Sequence, residues 1–217
     1  MDNAQLTAMV QRIGQEFNFK DASAGFEEFR DFKVRWKRSY QWIELEVSDY
    51  LQQAPESVVE YLLRCIFSKI RGDDADYPDD VVDYIDSDEF RAANRITYLQ
   101  RCRCIMDDGR LQASYDRLVE KGLLERDDRL VFGYTAAPGA TAGASSTLMK
   151  TVFIREKVAE DPELLDLVVY YHSIHASLPY REAADKTNLK VKCALALSQY
   201  PDHEELQDRL IDMGLRL

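Results

Sequence analysis

The sequence predicts an α+β fold, and three observations carry that expectation. Two short runs with period-two alternation, 32–36 and 42–47, read as paired strands. Two apolar segments opened by proline, 55–70 and 161–177, read as core helices. The run TLMKTVFI at 147–154 is apolar enough to be a strand central in its sheet. The expected architecture is one small mixed sheet, from segments near 32–36, 42–47, 130–134 and 148–154, packed on helices 55–70 and 161–177. Residues 1–30 are expected as an N-terminal helical appendage, and 31–217 as a single α+β domain.

The 217 residues are ample for a buried core, and 46% hydrophobic with 31% charged residues fits a globular chain. No apolar run approaches the roughly 20 residues that span a bilayer. The opening MDNAQLTAMVQRIGQEF lacks the basic and apolar regions of a signal peptide and reads as an amphipathic helix. The expected location is therefore cytoplasmic, with no membrane partner. A net charge of −11 repels phosphate backbones and anionic surfaces from the molecule as a whole. Four scattered cysteines, Cys65, Cys102, Cys104 and Cys193, make no disulfide framework, and the CxC lacks partners at zinc spacing.

In chain order, Leu6, Met9, Val10, Ile13 and Phe17 fall at helical spacing over about 3–18. The link 38–41 suggests a hairpin between the first two strands, whose Lys33, Arg35, Lys37 and Arg38 form a basic, solvated face. Pro55-Glu56 suits a helix start, and Gly72 a stop. The stretch 73–89 holds nine carboxylates and no basic residue, without a calcium-loop pattern. It is expected to pair with Arg91, Arg95, Arg101 and Arg103 of the next helix. A helix at 110–121, the stop Gly122 and a following hairpin have the outline of a winged-helix domain. A nucleic-acid interface through 110–134, using Arg110 and Arg117, is one alternative function. The small-residue stretch 136–146 is expected as a mobile cover. Beyond Pro179 come two or three short helices, about 180–199 and 202–213. An internal echo, strand then proline-led helix, links 42–70 with 148–175.

The order FKVRWKRSY…SDYL…APESVVEYL, a TYLQR-type helix, LMKTVFI…DPELLDLVVYYHSIH and a late QYP resembles the small HExxH zinc metallopeptidase-like proteins, the minigluzincin and SprT-like relatives. The likeness spans about residues 30–215 and implies a zincin-like fold with an active-site-type helix. In HExxH, histidines at i and i+4 grip zinc and the glutamate activates a bound water. Placed on that motif, His175 matches the second histidine, while Tyr171 stands at the first ligand and His172 at the glutamate. The resemblance thus implies a degenerate member whose vestigial site is Tyr171, His172 and His175, with no catalytic residue and no cofactor. It would act by binding a protein or peptide.

The competing enzyme reading keeps the i, i+3 pair His172 and His175 as zinc ligands of a divergent metal-dependent hydrolase. Glu182 or Asp185 would serve as third ligand, with His203 further on. A thiol of Cys65 or Cys193 beside His172 is a further arrangement the residues leave open. No nucleophile elbow, Walker loop or dinucleotide fingerprint is present.

Overall fold

The computed structural model describes residues 1–136 and 139–217. The chain divides into two compact units, Met1–Tyr98 and Leu99–Leu217.

In the first unit, helix α1 (Asn3–Glu16) starts on a capping box. The Asp2 carboxylate accepts from the Gln5 N–H, and the Gln5 side chain accepts from the Asp2 N–H. It ends where Asn18 turns left-handed and the Phe19 N–H reaches Gly14 O. Strands β1 (Asp21–Glu27), β2 (Val34–Arg38) and β3 (Trp42–Ser48) form a sheet in the order β1-β3-β2. β1 runs parallel to β3 and β2 antiparallel to it. Ala22, Ala24, Ile43, Leu45 and Val47 are buried on one face. α1 lies on β1 so closely that a Cβ on Gly14 would stand 2.7 Å from the Ala22 Cβ. Helix α2 (Glu56–Arg71) packs on α1 through Phe67 against Phe17 and Phe19. Arg64 and Arg12 converge on Glu60, and Arg64 also reaches Glu16. Gly72, at φ +98°, stops α2. Helices α3 (Asp79–Ile85) and α4 (Asp88–Arg101) follow. The acidic stretch does pair with α4: buried Arg91 binds Asp86 and Asp88.

The second unit opens with strand β4 (Ile105–Met106) and helix α5 (Arg110–Glu120). Strands β5 (Val131–Tyr134), β6 (Gly143–Ser146) and β7 (Thr151–Ile154) complete a sheet in the order β4-β5-β7-β6. β5 is parallel to β7, and β6 antiparallel to it. Helix α6 (Pro162–Ser177) is buried along most of its length, with α5, β6, β7, α8 (Lys186–Ser198) and α9 (His203–Asp212) packed around it; α7 (Tyr180–Ala184) is short. A helix order of α1-β1-β2-β3-α2 thus recurs as α5-β5-β6-β7-α6, with the same strand order and directions. The segments 42–70 and 148–175 occupy equivalent places in it.

The α+β class is as expected, but five details differ. The four predicted strands belong to two separate sheets rather than one, because each strand pairs within its own unit. Residues 1–30 are not a purely helical appendage, since Asp21–Glu27 pairs along its whole length with β3. Residues 31–217 do not form one unit, as the division falls at Tyr98. The expected cover at 136–146 contains an ordered strand, β6; its residues Ala137 and Pro138 lie outside the described residues. Only the second half of 147–154 is strand, because residues 147–150 turn, with Lys150 at φ +51°. No helix among the described residues is long and apolar enough to cross a membrane.

The α1–β1 approach sets a test. Alanine is ordinarily the better helix former by about 1 kcal/mol. Gly14→Ala is nonetheless expected to destabilise by about 1–3 kcal/mol through overpacking, read as the urea midpoint. Ala22→Gly in the same chain should recover much of that loss; the absence of recovery would remove the contact from the explanation.

Candidate functional site

The C-terminal half of α6 carries the histidines, and its two ends explain why a nearly all-apolar helix can sit in a core. At the start, the Asp161 carboxylate accepts from the Glu163 and Leu164 N–H groups. Arg209 donates to Asp161 and Glu163. Burial pushes the Asp161 carboxyl up, but these donors outweigh it and hold the group below its usual range. At the far end the Lys150 ammonium, with no exposed surface, donates to Ala176 O at 3.0 Å, Leu178 O at 2.8 Å and Ser177 O at 3.4 Å. A cation there answers both the last free carbonyls and the negative end of the helix dipole. The Thr147 hydroxyl donates to His175 O at 3.0 Å. Midway, buried Asp166 accepts from Ser114 and Arg117, both at 2.6 Å.

Between these anchors, Ser145 of β6 stands under both histidines. Its Oγ is 3.2 Å from His172 Nδ1 and 2.9 Å from His175 Nδ1. One hydroxyl carries one proton, so it donates to one ring and accepts from the other. One imidazole is therefore protonated at Nδ1 and the other at Nε2. The ring that accepts must be neutral, and burial keeps both rings neutral. Burial, then the neighbouring His175, push the His172 pKa down to about 3. Burial, then the Lys150 charge, lower that of His175. His172 Nε2 is buried without a hydrogen-bond partner. It lies against β6, where a Cβ on Gly143 would come within 2.8 Å of Nε2 and 2.6 Å of Phe153 O. Glycine is required there because the ring occupies the side-chain space.

The expected site residues thus gather only in part. Tyr171 is half-buried beside His172, edge-to-face at 5.2 Å between centroids. Burial, then Cys193, raise its hydroxyl pKa. Glu182 instead pairs with Lys192, and Asp185 caps α8 through the Thr187 and Asn188 N–H groups. Neither joins the histidines, so the expected third ligand is corrected. Among the described residues, no group of three His, Cys, Asp or Glu is arranged to hold a metal. Cys65 belongs to the other unit, and burial raises the thiol pKa of both Cys65 and Cys193, which leaves them weak nucleophiles.

The winged-helix outline is also corrected. β5 pairs with β4 and β7 inside the sheet and is no wing. Arg110 binds Asp108, and Arg117 binds Asp166. Arg126 and Arg129 bind Asp116 and Asp127. Two clefts of about 330 and 310 Å³ flank Asp166 and Glu163, where Arg117 and Lys121 pair with Asp166 and Arg209 with Glu163. Gly143, Ser145 and Lys150 went unmarked in the sequence. The available signal was a lysine inside TLMKTVFI, since a charge in an apolar run must find partners when buried. Compared with known proteins, the chain matches no family model, no curated protein and no solved structure.

The burial of neutral His172 makes stability depend on pH. The unfolded ring protonates near 6.5 and the folded one near 3. Its contribution is complete above about pH 6.5 and is lost as pH falls toward the folded value. Between about pH 7 and pH 5 the protein should lose about 2 kcal/mol to this group, measured by urea unfolding. His172→Leu should flatten the slope by that amount; parallel slopes for the two proteins would contradict it.

Proposed function

We propose that this protein is a non-catalytic binding protein that takes an acidic, extended peptide along strand β2. Its best support is the contrast between two sheet edges. The β1 edge is closed by α1: Asn3 accepts from the Phe26 N–H, and the Thr7 hydroxyl bonds Ala24. Among the described residues, no strand pairs with the outer edge of β2. Lys33 O accepts from Ser48, and Trp42 O from Ser39, so the intervening alternation turns the backbone groups of Val34, Trp36 and Arg38 outward. Trp36 is 47% exposed.

Lys33, Arg35, Lys37 and Arg38 surround this edge; Arg35 and Lys37 reach Glu46, and Lys33 and Arg35 lie over the Phe29 ring. Like charge keeps two such edges from pairing with each other. The same charge attracts an acidic strand, whose main chain would extend the sheet. The α6 cluster supports the non-catalytic half, because Ser145 Oγ and both imidazole Nδ1 atoms are committed to one another and His172 Nε2 is buried. A cytoplasmic setting belongs to the same proposal, supported by four cysteines that are all free thiols.

A short synthetic peptide alternating glutamate and valine tests it by NMR titration. Amide shifts are expected within 33–48, weakening as salt rises, and Trp36→Pro should abolish them by removing an outward N–H. No shifts at low salt, or cleavage of the peptide, would overturn the proposal.

A further inference from the structure

A second feature of the first unit shares only Arg38 with the strand edge. The α1–β1 link, the β2–β3 turn and the end of α2 enclose a pocket of about 440 Å³, lined by Phe17, Asn18, Phe19, Lys20, Arg38, Ser39, Tyr40, Gln41 and Arg71. Three of its residues are cations and none is a carboxylate, in a chain with 39 acidic against 28 basic residues. Elsewhere in this unit arginines are absorbed by acids, as Arg12 and Arg64 are by Glu60, and Arg91 by Asp86 and Asp88. Among the described residues, Lys20, Arg38 and Arg71 form no ion pair; Arg71 lies over the Phe17 ring, 5.7 Å from its centroid. Among the described residues, none bonds the side chains of Asn18, Ser39 and Gln41, which leaves further donors at the rim.

Four of the backbone acceptors nearby are already used. Gln41 O takes the Lys20 and Asp21 N–H groups, and Gly14 O takes that of Phe19. Lys69 O and Ser68 O take those of Gly72 and Asp73. Those carbonyls are satisfied, and the lining side chains bring donors and three positive charges. Tyr40, at 94% exposed, stands at its mouth with an aromatic face that no protein group covers. Two guanidiniums and an ammonium match a phosphate group, since arginine forks bind its oxygens in pairs. An uncovered tyrosine beside them matches a planar ring that stacks. The volume lies within the range of small-ligand sites.

We infer that this pocket binds a phosphomonoester carrying a planar ring, a ligand of mononucleotide kind, with Arg38, Arg71 and Lys20 on the phosphate and Tyr40 on the ring.

Titration of the full chain with AMP, adenosine, ribose 5-phosphate and inorganic phosphate, followed by amide NMR, tests this. AMP should shift amides at 17–20, 38–41 and 71, and bind more tightly than each of the other three. Arg38→Gln and Arg71→Gln should each weaken AMP by about 10-fold. Tyr40→Ala should weaken AMP by about 10-fold while leaving inorganic phosphate unchanged. All three side chains are exposed, so unfolding midpoints should not move. No shifts with AMP, equal binding of inorganic phosphate, or full affinity in Arg71→Gln would overturn the inference. Trp36 is not a lining residue, so Trp36→Pro should abolish the peptide shifts while AMP still binds, which separates the two readings.

Discussion

Helix α6 can occupy the centre of the second unit because a buried lysine closes its C-terminal end. Most of this helix has no solvent-facing side, so the unpaired carbonyls of its last turn have no water to turn to. Lys150 supplies its ammonium to three of them, and Thr147 supplies a hydroxyl to a fourth. Both donors sit in the tight turn between β6 and β7, where Lys150 adopts a left-handed backbone. The turn therefore sets the register of β6 on β7 and, through it, the height of Ser145 beneath the histidines. Capping, strand pairing and the histidine contact are consequences of one placement.

The elements with a strong periodic signal were legible in the sequence. Helices α2 and α6 carry proline or Asp-Pro starts and apolar faces, and β3 alternates clearly. Three strands escaped notice, β1, β4 and β6; β1 (DASAGFE) and β6 (GASS) are built from small residues and lie at sheet edges. Their smallness serves close approach: Ala22 admits α1 at Gly14, and Gly143 admits the His172 ring. Such strands are specified by what packs on them, and propensity gives no hint of it. The assignment of four strands to two sheets had the same origin, because sequence patterning marks strands and leaves their partners open.

The histidine pair shows what local pattern leaves undetermined. HSIH on a helix places two imidazoles on one face, and that much follows from spacing. Whether they meet a metal, a substrate or a protein group depends on the residue opposite. Here it is Ser145, from a stretch whose composition reads as loop. Glu182 and Asp185 are close in sequence, yet each is committed to an ordinary helical role, an ion pair and an N-cap. The resemblance to zinc metallopeptidases rested on order and spacing, whereas the geometry joins the two rings through one hydroxyl.

Histidine ring NMR tests this closed pair most directly. Nitrogen-15 shifts of the two imidazoles, followed from neutral pH downward with and without zinc, report both tautomer and protonation. The hydroxyl bridge requires one ring protonated at Nδ1 and the other at Nε2. It also requires His172 to stay neutral well below pH 6.5, and zinc to leave both spectra unchanged. A His172 that titrates near 6.5, or two rings that shift together on adding zinc, would contradict it.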